Sequence, residues 1–244
     1  MQDQFTSARL KIAHSEKLIA DLKAIVETLE ESCVPDIRRD AASNGYMVYY
    51  ELPNATEVMT HLSPATGDVI HNLKSALDHA WIGAYKRFDL TESGHTKFPV
   101  GDDLVKLLGM MKPLASKSLD LYNLVLSEIK PHKNGNYELW SIHRLDIQDK
   151  HQLVLPLMSN VGVDGLSVRD DKGELHNGGT WGFTYENGFH IDFHPTWEIL
   201  STGKLVVSVL FAEDIPYSHQ RIVETLGIFS RTVTNTVNRL EGVR

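Results

Sequence analysis

The chain has 244 residues, enough for one large domain or two small ones with a substantial buried core, and its single cysteine, Cys33, cannot close an internal disulfide. Lys and Arg number 24 against 32 Asp and Glu, a formal net charge of −8 that excludes indiscriminate coating of nucleic acid or anionic lipid, though not a local basic pocket. No apolar run approaches the roughly 20 residues that cross a bilayer, and Met1-Gln2-Asp3-Gln4 opens no secretory leader, so a soluble, cytoplasmic protein without a membrane partner is expected.

Phe5, Ala8, Ile12, Ser15, Ile19, Leu22, Val26 and Leu29 alternate spacings of three and four, which predicts a long helix with one narrow buried seam. That seam fits either packing within the chain's own domain or a homodimer. Cys33-Val34-Pro35-Asp36 ends the helix, because proline disfavours helical angles at the preceding residue and lacks an N–H. Tyr46 to Leu52 reads as a strand from its aromatic and β-branched content, closed by Pro53-Asn54.

Ser63-Pro64 suits a helix start, and Ile70, Leu73, Leu77, Ala80, Trp81 and Ala84 form the apolar stripe that follows. Further helical patterns cover Leu104 to Met111, Leu114 to Ile129 and Glu138 to about His151, interrupted by Pro113 and by 131–136. After Gln152 the period shortens towards two, with strands expected at Leu153 to Met158, Gly165 to Val168, Trp181 to Tyr185, Phe189 to Phe193 and Leu205 to Phe211. Asp171-Lys172-Gly173 and Glu186-Asn187-Gly188 carry hairpin-turn chemistry. A last helix is expected from about Tyr217 to Leu240. The fold class is therefore α+β: a mainly helical N-terminal half (1–151), an antiparallel β-sheet region (152–215) and a closing C-terminal helix (216–244), in one integrated domain.

The polar chemistry is concentrated on two segments. In Gly67 to His79, a turn of about 100° per residue puts His71, Lys74 and Asp78 along one flank of the apolar stripe, with Ser75 and His79 opposite the core. Lys74 and Asp78 fit a surface ion pair, whereas His71, Asn72, Ser75, Asp78 and His79 together fit hydrogen bonding, proton transfer or ligation. His71 and His79, separated by about 12 Å of helix, cannot chelate one ion as an i,i+4 pair does. In the second segment His143 and Asp146 lie one turn apart, while Asp149, Lys150 and His151 fit either a helix C-terminal cap or a cleft. A third cluster, His190, Asp192 and His194, alternates with Phe189, Ile191 and Phe193 and fits the solvent side of an amphipathic strand better than a metal site. Phosphate-loop, dinucleotide, nucleophile-elbow and His-Glu-x-x-His signatures are missing from the sequence.

Gly67-Asp68-Val69-Ile70-His71-Asn72-Leu73-Lys74-Ser75-Ala76-Leu77-Asp78-His79, followed by Asp149-Lys150-His151, resembles a family of uncharacterised bacterial proteins over most of the chain. Lys74-Ser75-Ala76-Leu77-Asp78-His79 also resembles the Arg-polar-x-x-x-His motif of HEPN-superfamily ribonucleases, with lysine at the arginine position. The resemblance implies RNA cleavage without metal or other cofactor, usually in a cleft between two protomers. In that scheme His79 moves a proton at the ribose 2′-hydroxyl, Lys74 stabilises phosphate charge, and Ser75 or Asn72 positions groups. Three function classes fit: this ribonuclease, a metal-dependent hydrolase with a composite His/Asp site, and a non-enzymatic binding or assembly protein. The partners expected are an RNA substrate and a second copy of the chain.

Overall fold

Asp3 starts the first helix by accepting the N–H groups of Phe5 on its side chain and Thr6 on its carbonyl. The helix, α1 (Thr6–Glu31), stops four residues before Pro35. A computed structural model of the chain describes residues 3–40, 44–52, 55–91, 96–151, 156–180, 183–185 and 188–243. Phe5, Ala8, Ile12, Ser15, Leu22 and Leu29 are buried and Ile19 and Val26 partly so, which means that a single chain already covers the apolar seam.

The chain divides into two compact units. The first, helical unit contains Met1–Leu22, Ser63–Leu155 and Phe211–Arg244; the second contains Lys23–Leu62 and Pro156–Leu210. A stretch of the N-terminal half, Lys23–Leu62, thus belongs to the same unit as the strands between Pro156 and Leu210.

The helix α2 (Ala55–Arg87), which belongs to the helical unit from Ser63 onward, begins well before Ser63-Pro64 and carries Pro64 in its interior. The expected start is corrected to Ala55: proline deletes one helical hydrogen bond, but the residues on both sides remain helical. The unit boundary at Ser63 falls one residue before that missing donor. α3 (Leu104–Ala115) is capped by the Asp103 side chain, and the expected helix from Leu114 to Ile129 is interrupted at 116–118, where Ser118 caps a new start. α4 (Leu119–Asn123) runs on into a π-helical turn (Leu124–Ile129) ending at the left-handed Lys130. Asn136 caps α5 (Tyr137–Asp149). The closing helix α6 (Ile222–Gly242) starts later than expected, since Tyr217 and His219 have φ of 64° and 60° and cannot be helical. Its stripe of Ile222, Leu226, Phe229, Val233, Val237 and Leu240 is fully buried.

The second unit holds two antiparallel sheets rather than one. In the first, β1 (Pro35–Arg39) pairs with β2 (Tyr46–Glu51), β2 with β6 (Gly188–Phe193), and β6 with β5 (Phe183–Tyr185). Pro35 opens an edge strand, the position where a missing donor costs least. The second sheet has the order β4 (Leu175–Thr180), β3 (Pro156–Arg169), β7 (Glu198–Phe211). β4 escaped the sequence reading because His176-Asn177-Gly178-Gly179 lacks strand-forming side chains; pairing with β3 imposes its conformation. The Asp171-Lys172-Gly173 turn joins β3 to β4. Tyr185 pairs with Gly188, while Glu186-Asn187 lie outside the described residues, as do Pro53-Asn54, 153–155 of the first expected strand and 181–182 of the third. Among the described residues no helix is long and apolar enough to cross a membrane.

Candidate functional site

Both His/Asp segments fall in the helical unit, and side chains from α2 and α5 meet there. Along α2 the residues concerned are Gly67, His71, Lys74 and Asp78, at spacings of four, three and four, which keeps them on one stripe. Along α5 they are Asp149, Asp146 and His143, each three residues earlier than the last. Gly67 lies against Asp149 and His71 bonds Asp146, and the Lys74 charge acts on His143, so the two helices are matched in antiparallel order.

Gly67 sits inside a helix, where glycine is normally costly. Its reason is steric: a Cβ there would lie 2.4 Å from Asp149 Oδ1 and 2.5 Å from Oδ2. The missing side chain therefore seats the Asp149 carboxylate directly against the α2 backbone.

Asp146 is buried and uses both carboxylate oxygens. His71 Nδ1 lies 2.9 Å from Oδ1, and Lys150 Nζ donates to Oδ2 at 2.6 Å. A buried carboxylate needs such partners to stay in a low-dielectric setting. Because an ionised carboxylate only accepts, it assigns the proton of a neutral His71 to Nδ1 and leaves Nε2 with a lone pair. The His71 side chain is 54 % exposed, so this lone pair belongs to a ring that solutes reach.

The next layer is Lys74 and Asp78. Only 6 % of the Lys74 side chain is exposed, and its ammonium donates to Asp78 Oδ1 at 2.5 Å. The same oxygen accepts the Phe98 N–H at 2.8 Å, which ties the segment before α3 to α2. His143 is half-buried beside these charges. Burial first, then the Lys74 ammonium, push its imidazole below the ordinary histidine value, while Asp146 and Asp78 oppose the shift. Its Nδ1 is buried without a hydrogen-bond partner.

Asn72 is buried on the neighbouring side of α2, accepting from Lys11 Nζ at 2.9 Å and donating to the Asp68 carbonyl at 2.7 Å. It fastens α1 to α2. His79 is exposed two turns beyond His71, and His151 is exposed just past α5, where its N–H bonds the Gln148 carbonyl. Thus His71, Lys74, Asp78, Asp149 and Lys150 gather at the α2–α5 seam, whereas His79 and His151 face solvent. Lys11 and the Phe98 amide were not foreseen. Neither carries a local sequence signal, unlike Gly67, whose place inside a helical pattern marks a close approach.

Other histidine and acidic groups lie in the second unit. On β6, Phe189, Ile191 and Phe193 are buried while Asp192 is exposed and His190 intermediate, as the amphipathic alternative requires. Asp170, Glu174 and His176 form, among the described residues, the only trio whose ligand atoms lie within 4.8 Å of one another. An open cavity of about 460 Å³ is lined by Glu27, Glu30, Glu31, Cys33 and Lys204, among others. Burial and then the Glu51 charge push the Cys33 thiol up to about 11, so it is protonated at neutral pH and a poor nucleophile.

No protein-family model, curated protein or solved structure matches this chain.

Proposed function

We propose that the α2–α5 seam is an acid–base site for metal-independent cleavage of RNA. The observation that carries the reading is the contact between His71 and buried Asp146, which orients a half-exposed imidazole and fixes its tautomer. Proton transfer at the ribose 2′-hydroxyl or at the leaving oxygen needs such a positioned group, an effect worth about 10²–10⁴-fold in rate. Lys150, half-exposed on the same carboxylate, adds positive charge beside the place where a phosphate would lie.

In this scheme the resemblance to HEPN ribonucleases supplies the reaction class, and the roles are redistributed. Lys74 neutralises Asp78 and holds the seam together, and His71 takes the proton-transfer role that the motif alone gives to His79. The test is incubation of the purified chain with mixed RNA, with and without EDTA, beside His71→Ala, Asp146→Asn and His79→Ala. Cleavage that resists EDTA and falls at least 100-fold in the first two variants, with His79→Ala near wild type, is expected. Loss in His79→Ala alone returns the role to the motif histidine. No cleavage by the wild type overturns the reading.

A further inference from the structure

Beside the seam, α5 carries a row of large side chains that the core does not cover. Tyr137, Trp140, Arg144 and Ile147 follow one another at spacings of three, four and three, which puts them along one face. Tyr137 and Ile147 are each 37 % exposed, Arg144 is exposed and Trp140 is half-buried. The face borders the seam, because a turn of about 100° per residue sets Trp140 and Ile147 about 60° round the helix from His143 and Lys150. Trp140 precedes Asp146 by about 9 Å along the axis. Its ring is the outer end of a ladder. Trp140 packs on Tyr137 at 5.4 Å between centroids, Tyr137 packs on Tyr217 at 5.4 Å, and Tyr217 stands edge-on to buried Phe229. The indole N–H donates to Asp102 Oδ1 at 3.3 Å, and the ammonium of exposed Lys133 lies over the ring, 5.2 Å from its centroid. The carboxylates at hand are engaged, Asp102 with Lys106 and the indole, Glu138 with the Tyr217 hydroxyl.

We infer that this face of α5 is a stacking site for single-stranded RNA, in which a base lies on the Trp140 ring and Lys133 and Arg144 take the flanking phosphates. The inference rests on the ribonuclease reading above and gives it a substrate class. Every base has a π face and every phosphate a negative charge, so rings interleaved with lysine and arginine match a single strand whatever its sequence. A duplex does not fit, because its bases are already stacked on one another. The net charge of −8 allows such a match, since Lys133, Arg144 and Lys150 follow one another along α5 and the loop before it. Trp140 is held by Asp102 on its N–H and by Tyr137 on its ring, so little side-chain freedom is lost when a base arrives. Lys133 is exposed and long, and a base that replaces its ammonium over the indole frees that ammonium for the adjoining phosphate. At its distance from Asp146 the stacked base belongs to a nucleotide near the scissile one, and half-exposed Lys150 lies on the way between them.

The experiment measures, by fluorescence anisotropy, binding of a labelled non-cleavable 2′-O-methyl RNA single strand to the full chain, beside a separate assay of cleavage of unmodified RNA. Trp140→Leu, which keeps an apolar side chain and removes the ring, should weaken binding about 5–150-fold, the effect of one lost stacked base. Trp197→Leu, in the second unit, should bind like the wild type. Arg144→Gln should reduce the slope of log affinity against log salt concentration by about 0.7, one phosphate contact on a single strand. A wild type that does not bind the strand, an unchanged affinity in Trp140→Leu, an equal loss in Trp197→Leu, an unchanged slope in Arg144→Gln or equal competition by a duplex overturns the site. If the wild type cleaves RNA while Trp140→Leu binds and cleaves as it does, the ribonuclease reading stands and this inference falls. If binding behaves as expected and nothing is cleaved, the site stands and the ribonuclease reading falls. Should Trp140→Leu fail to fold, the indole N–H resonance of Trp140 in the wild type decides: a shift on adding the strand supports stacking, and an unmoved signal overturns it.

Discussion

Among the described residues, two close His–Asp pairs of similar length lie in different places in the fold. His176 Nε2 lies 3.1 Å from Asp170 Oδ2, and His71 Nδ1 lies 2.9 Å from Asp146 Oδ1. The first is local: Asp170 also accepts the N–H groups of Lys172 and Glu174, and His176 stacks on Trp197 at 5.4 Å between centroids. The His176 hydrogen bond, more than these turn amides, holds the Asp170 carboxyl below its ordinary range. The second joins residues 75 apart, buries its carboxylate and leaves the imidazole half-exposed. The carboxylate is the more buried partner in both, so the difference lies in what each pair joins: the local pair fixes a turn, whereas the long-range pair holds an imidazole between two helices beside further charged groups. Chemistry is therefore assigned to the seam, although the hairpin also supplies the trio with cation-ligand spacing.

The comparison is broken most directly by removing the charge that holds the seam. Asp78→Ala leaves the buried Lys74 ammonium unpaired and should cost about 3–5 kcal/mol, since breaking a buried pair strands one charge. In a chain of this length that is a fall in melting temperature of roughly 6–20 °C. Lys74→Met removes the charge together with its need for a partner, so thermal melts should show a smaller loss than for Asp78→Ala.

Glycine replacements give the next largest effect. Alanine in a helix interior normally gains about 1 kcal/mol over glycine. Gly227→Ala in α6, where the new Cβ meets only Arg231 Nη1 at 3.6 Å, should show that gain in urea unfolding. Gly67→Ala should not, because its Cβ displaces the Asp149 carboxylate. A stabilised Gly67→Ala would break the steric account of the seam.

His143 gives a pH-dependent difference. Its imidazole is held below the ordinary 6.5, so the unfolded chain binds more protons just under that value. The contribution to stability is complete above about pH 6.5 and is lost as the pH falls through the lower folded value. His143→Gln should flatten this part of the profile of melting temperature against pH, and an unchanged slope would remove the buried neutral imidazole from the account. The smallest effect is expected at the hairpin: Asp170→Asn should leave RNA cleavage unaltered and shift the melt within the scatter of repeats, because the amide keeps an oxygen for the Lys172 and Glu174 N–H groups and loses only the pair with half-exposed His176.

Much of the site was legible before folding. The spacing of His71, Lys74 and Asp78 placed them on one flank, and the run Asp149-Lys150-His151 was marked as a second polar segment. The depth of each group was not. Lys74 fits half of a surface pair in the sequence, yet it is buried, and its partner Asp78 also accepts the Phe98 N–H, a contact that periodicity along α2 alone does not reveal. His79 belongs to the more recognisable motif but faces solvent, and His71 takes the bond to Asp146.

By itself the sequence determined what local physics determines: the long seam of α1, the stripes of α2 and α6, the Asp171-Lys172-Gly173 hairpin and the alternation along β6. Periodicity and turn chemistry act over a few residues and need no partner. Only the tertiary structure decided that Pro64 lies within a helix, that β2 pairs with β6 in register across more than a hundred residues, and that Asp146 finds His71 while Asp149 finds Gly67. Those outcomes depend on which surfaces meet, and a side chain's burial, partners and proton affinity are properties of the meeting rather than of the segment that carries it.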